Sequence, residues 1–167
     1  MAKRTPEEGK EQSVRGFAYQ HIIVGILMKK YGNVSLVDLP HSKFDIILAL
    51  PQPNQAENLI RVQVKTTIQN YAKFEAGGRG GVDRTYKSDS KQYIYTTKDA
   101  DIVISCQIDD AKDNFLLYFI PTILIEKWAA KTKSFSLIAP LCNNYEMLEN
   151  CKDQEWVLNK AKEYGLI

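Results

Sequence analysis

The stretch IRVQVKTT at 60–67 places Ile60, Val62 and Val64 on one side of an alternation and Arg61, Gln63 and Lys65 on the other. In a strand, side chains alternate and the rise is about 3.3 Å per residue, so Gln63 and Lys65 project from one face roughly 6.6 Å apart. Upstream, KFDIILAL at 43–50 holds Asp45 in a run with no other charge after Lys43. Adjacent strands lie about 4.8 Å apart, and a short hairpin between these two runs lets Asp45 meet Gln63 and Lys65. A carboxylate (Asp45), an amide oxygen (Gln63) and a strand carbonyl (Val64) are hard oxygen ligands that suit Mg²⁺, with Mn²⁺ as a substitute. A lysine beside that ion can hold or deprotonate a water, or steady negative charge growing on a phosphate. The bland alternative is a solvated sheet face, which shows the same alternation.

The elements that must position these residues follow from periodicity. Residues 11–31 read as a helix, with Phe17, Gln20, Val24, Leu27, Met28 and Tyr31 on one stripe and Gly32 placed to end it. Residues 34–39, 43–50 and 59–67 read as three strands, separated by turn-rich segments. A long polar segment covers about 70–98, and loops of that length are usually functional or disordered. Strands are expected at 99–108 and 114–121, then a short helix from Thr122. SFSLIAPL reads as a strand or extended run, and the last part as a C-terminal helix, broken or whole. The expected fold is α+β or mixed α/β around one mixed sheet. The expected organisation is a flexible tail at 1–12 and one domain at 13–167.

Composition excludes several classes. At 167 residues, 44% hydrophobic and 25% charged, the chain fits one globular domain. The net charge of +2 means that any nucleic-acid contact must come from local clusters of cations. Such a cluster is the glycine-rich GGRGGVDRTYKSDSK, with Arg79, Arg84, Lys87 and Lys91 around Tyr86. Cations on that backbone suit phosphate contact, whereas the Lys-Ser/Thr ending of a P-loop is missing. The three cysteines, Cys106, Cys142 and Cys151, form no CxxC pair, which argues against a disulfide framework and for a reducing cytoplasm. His21 and His41 are the only histidines, so a structural zinc site is not expected. No apolar run reaches a membrane span, and the charged N-terminus leads into no signal-type stretch.

The pair FDIILA and RVQVKTT resembles the PD-(D/E)XK phosphodiesterase superfamily, in the branch whose last motif reads QxK. It is similar there to small group I intron homing endonucleases and their bacterial relatives. RGFAYQ at 15–20 is similar to the opening helix of anti-phage effector nucleases that degrade double-stranded DNA. The resemblance covers about 13–67, and Tyr118–Pro121 also looks like the small homing members. It implies a restriction-endonuclease-like core, Asp45 as metal-binding acid, Gln63 at the variable acid-or-amide position, Lys65 as catalytic lysine, and Gln20 as the helical partner. Glu11 is the other helical acid, more than two turns earlier. Phe44 stands where the family's proline would be, and Asp45 is the one secured carboxylate, which favours one-metal chemistry.

The resulting expectation is an Mg²⁺-dependent endonuclease on double-stranded DNA, homing-type or restriction/defence-like, and cytoplasmic. Cutting both strands calls for a homodimer or larger assembly, with the C-terminal helix and LLYFIP as candidate interfaces. A Holliday-junction-type resolvase, a non-catalytic DNA-binding module and an interaction protein with no nucleic-acid role are the alternatives.

Overall fold

The computed structural model describes residues 6–39, 42–53, 56–76 and 93–167. Helix α1 spans Pro6–Tyr31. It starts five residues before the apolar pattern, within the stretch expected as a tail. Proline suits a first helical position because its missing N–H has no intrahelical partner there. Glu7 and Glu8 in the first turn and Lys29 and Lys30 in the last complement the helix dipole. Gly32, at φ 79°, donates its N–H to the Met28 carbonyl at 2.8 Å and ends the helix.

Only part of the expected stripe is buried. Ile23 and Leu27 are fully buried, and Tyr19, Val24, Ile26 and Tyr31 pack around them. Phe17 and Met28 point to solvent, 63% and 47% exposed. The helix carries apolar residues on both sides, so period alone does not say which side the sheet takes.

Strands β1 (Val34–Leu36), β2 (Ile46–Leu50) and β3 (Asn58–Thr67) form an antiparallel meander. The polar segment contributes β4 (Tyr71–Lys73), β5 (Glu75–Ala76) and β6 (Tyr93–Ile94). Strand β7 (Ile102–Asp109) then runs parallel to β3, and β8 (Asn114–Pro121) returns antiparallel. The main sheet is five-stranded and mixed, in the order β1-β2-β3-β7-β8. Helices flank it, with α2 at Thr122–Trp128, α3 at Tyr145–Glu149 and α4 at Gln154–Glu163. Strand β9 (Thr132–Ser134) pairs with β4.

SFSLIAPL is not a strand: Phe135–Leu141 is a 3-10 helix that contains Pro140. Proline has no N–H for a ladder, and Phe135, Ile138 and Leu141 turn inward from this short coil. The C-terminal helix is two helices. The side chain of Asn144 accepts the Met147 N–H and that of Asp153 accepts the Trp156 N–H, each satisfying a donor at a helix start. Of LLYFIP, residues Leu117, Tyr118, Phe119 and Ile120 are already buried in the chain's own core.

Candidate active site

Strand β2 stops at Ile46, paired with Val62, while β3 runs on to Thr67. Asp45 sits at this end of the ladder. Its N–H donates to the Val62 carbonyl at 2.9 Å, and its carbonyl accepts the Val37 N–H at 2.8 Å. Val64 of β3 therefore faces no β2 strand partner. Its N–H donates instead to the Asp45 carboxylate, at 2.8 Å from Oδ2. A strand residue's N–H and C=O point to the same side, so the Val64 carbonyl opens toward the same space. Gln63 Nε2 reaches both oxygens, at 2.5 Å from Asp45 Oδ2 and 3.0 Å from the Val64 carbonyl. The Gln20 side chain, crossing from α1, hydrogen-bonds the same carboxylate.

A half-buried carboxylate oxygen and a buried carbonyl oxygen thus converge on one amide nitrogen. Burial pushes the Asp45 carboxyl above its ordinary range, while the Val64 N–H, the Lys65 charge and Gln20 pull it back. Burial pushes the Lys65 ammonium below its ordinary range, and the Asp45 charge opposes that. Lys65 Nζ lies 5.0 Å from the centroid of the Tyr95 ring, a cation–π distance. Among the described residues no group of three or more His, Cys, Asp or Glu could hold a metal ion. A cation here would rest on one carboxylate plus amide and carbonyl oxygens.

The structure brings Asp45, Gln63, Val64, Lys65 and Gln20 together. It does not bring Glu11, which is exposed and pairs with Arg15 at 3.5 Å; nine residues of helix separate it from Gln20 by about 13 Å along the axis. Arg61, on the polar face of β3, has a structural task. It grips Asp101 through Nη2 at 2.7 Å and Nε at 3.3 Å, and donates to the carbonyls of Thr97 and Lys98. Arg79, Arg84, Lys87 and Lys91 lie outside the described residues. Tyr95 and the Lys43–Asp99 ion pair, 2.5 Å long with Asp99 buried, also border the site. Nothing in YIYTTKDA marks them, because their nearness is purely tertiary. A groove of about 560 Å³, lined by Gln12, Arg15, Thr66, Tyr71 and Lys73 among others, begins one residue beyond Lys65.

No family model matches the chain, and no curated protein matches it in sequence. A comparison with solved structures does find a likeness. The fold, a mixed five-stranded sheet flanked by helices, is that of a homing-endonuclease-like α+β protein. The structure matched is that of a bacterial homing endonuclease, I-Ssp6803I. The match has a TM-score of 0.52 and 13% identity and covers 73% of this chain and 76% of that one.

Proposed function

We propose that this chain is a metal-dependent endonuclease that hydrolyses phosphodiester bonds in double-stranded DNA, of the homing or restriction/defence kind. One observation carries the reading. A single amide, Gln63, reaches a half-buried carboxylate and a strand carbonyl left open at the end of a ladder, and a desolvated lysine follows two residues later. The likeness to a bacterial homing endonuclease supports it, as does the resemblance of the two strands to the PD-(D/E)XK superfamily.

The donor set fits Mg²⁺, which takes hard oxygens and one or two carboxylates. Asp45, Gln63 and the Val64 carbonyl would hold it, and a half-turn of the Gln63 amide offers Oε1 where Nε2 now sits. When bound, the ion supplies Lewis-acid polarisation of the phosphate and neutralises growing charge. The chain's own groups do the rest. The Val64 N–H and Gln20 fix the carboxylate in one orientation. Lys65 is desolvated against Tyr95, so its N–H donors are not dissipated in bulk water. It donates to the attacking water or to a phosphate oxygen as charge develops there. The cations of the glycine-rich segment, Arg79, Arg84, Lys87 and Lys91, hold flanking phosphates.

The second reading is a DNA-binding module on the same fold. It draws on Asp45 Oδ2 already accepting two bonds, which also makes it a plug for the end of the ladder. Supercoiled plasmid and phage or genomic DNA, incubated with Mg²⁺ or with EDTA, separate the two. Discrete metal-dependent fragments support the nuclease. DNA bound but intact under every condition supports the module.

A further inference from the structure

Strand β3 outruns β2, and the edge left open continues past Asp45. Ile46 is the last β2 residue and faces Val62. Main-chain groups of alternate strand residues point to the same edge. The Thr66 N–H and C=O therefore point where those of Val64 do, about 6.6 Å further along, and no β2 residue stands opposite them. The groove of about 560 Å³ lies at this end of β3, with Gln12 of α1 on one bank and Tyr71 and Lys73 of β4 on the other. Gln20 of α1 reaches Asp45. One turn earlier, Gly16 sits over Thr66: a Cβ there would lie 3.9 Å from Thr66 Oγ1. The Asp45 site and the groove thus follow one another along α1 and β3.

The lining suits a polyanion. Its charged side chains are Arg15 and Lys73, and no carboxylate lines it. Arg15 is already held, by Glu11 at 3.5 Å and by Asp110 at 3.1 Å. Lys73 is half-buried and has no ion-pair partner among the described residues. Glu75, two positions on, is taken by Lys131 at 2.7 Å. Lys73 Nζ rests 5.6 Å from the centroid of the Tyr71 ring. The Thr66 and Tyr71 hydroxyls have no hydrogen-bond partner among the described residues either. A half-buried ammonium, a main-chain N–H and two hydroxyls are the donors that a phosphodiester's oxygens accept. The far end is different. A second cavity, about 480 Å³, shares Ile68 and Ile108 with the groove and is lined by Asp109 and Asp110. Those carboxylates repel a polyanion, so a backbone that enters beside Asp45 leaves before that end.

We propose that the groove between α1 and β4 holds the phosphate next to the scissile one on the cleaved DNA strand, with Lys73 and Thr66 as its donors. The two-residue step from Val64 to Thr66 is close to the step between neighbouring phosphates of one strand. A phosphate held there fixes the scissile group beside the Asp45 and Val64 oxygens, with Lys65 next to it, so the groove positions the substrate and takes no part in the chemistry. Its place relative to the cut rests on the nuclease reading; its affinity for a phosphate backbone does not.

Anisotropy titrations of a labelled duplex with the full chain, without metal and over a salt series, test the groove apart from hydrolysis. Lys73→Met is expected to weaken binding by roughly tenfold and to lower the slope of log affinity against log salt by about 1, alike for unrelated sequences. Gly16→Phe, which lays a ring over Thr66, is expected to weaken binding by a like factor with an unchanged far-UV spectrum. Lys162→Met removes an exposed cation on α4, outside the groove, and is expected to change neither affinity nor slope. In a duplex that wild type cuts, a neutral methylphosphonate at one of the two phosphates adjoining the cut should cost wild type what Lys73→Met costs, and should cost Lys73→Met nothing further. Binding indifferent to Lys73→Met and Gly16→Phe, or weakened as much by Lys162→Met, overturns the proposal. So does a methylphosphonate loss that adds in full to that of Lys73→Met at both adjoining positions. A chain that binds through Lys73 but never cuts in Mg²⁺ overturns the nuclease reading alone, whereas one that cuts and ignores Lys73 overturns the groove alone.

Discussion

At the scale of residues, the site depends on a few donors that hold one carboxylate. Lys65 lies two positions from Gln63 and is kept short of solvent by its surroundings, Tyr95 among them. Replacing it with Met keeps the bulk and removes the charge. Cleavage should fall by about 10²–10³ with DNA binding little changed, read by single-turnover kinetics beside a binding isotherm. Asp99 gives a prediction about pH. Burial raises its carboxyl, but the Lys43 hydrogen bond, the Thr96 N–H and hydroxyl, and the Lys43 charge outweigh burial and hold it below the ordinary range. A depressed carboxylate contributes stability that is fully present above its unfolded pKa, about 3.9, and is lost as pH falls through its folded value. Melting temperature against pH should therefore drop on the acid side in wild type. Asp99→Asn should be less stable near neutrality and show a flatter acid limb; an identical limb would remove the pair from the account of acid stability.

At the scale of elements, the mismatch between β2 and β3 creates the site. Ending β2 at Ile46 frees Val64, and Asp45 takes up its N–H. On the other side of β3, Arg61 ties the strand to the segment before its parallel neighbour β7. Arg61→Ala takes the guanidinium from Asp101, which is 10% exposed and keeps only the backbone N–H of residue 61, and should cost about 1–3 kcal/mol, measured by urea unfolding. Leu27→Ala, on the buried side of α1, should cost about 2–5 kcal/mol. Much of this architecture was legible. Alternation with a period of two placed β3 and the common face of Gln63 and Lys65, and charge isolation marked Asp45. The rest is tertiary. Both sides of α1 are apolar, so periodicity could not say that Ile23 rather than Phe17 meets the sheet. The helix begins at Pro6 through end charges, not through an apolar pattern. Tyr95 and Asp99 reach the site only because β7 returns parallel to β3. Pro140 in SFSLIAPL was visible, but a short buried 3-10 coil has no strong periodic signature.

At the scale of the whole molecule, a net charge of +2 makes affinity for DNA a matter of local clusters. If Arg79, Arg84, Lys87 and Lys91 each hold one phosphate, neutralising all four should weaken binding across sequences alike. It should also reduce the slope of log affinity against log salt by about 3–4; an unchanged slope would move the contact surface elsewhere. No helix among the described residues is long and apolar enough to cross a membrane. The central claim is that Asp45 serves metal-dependent hydrolysis and is more than a plug for a ladder end. Asp45→Asn tests it most directly, because the amide nearly matches the carboxylate in shape and keeps an oxygen for the Val64 N–H. DNA binding and plasmid cleavage in Mg²⁺ would be measured on the same preparations of variant and wild type. The expected result is binding within about threefold of wild type and cleavage reduced by about 10³ or more. Cleavage at the wild-type rate by Asp45→Asn would contradict the claim.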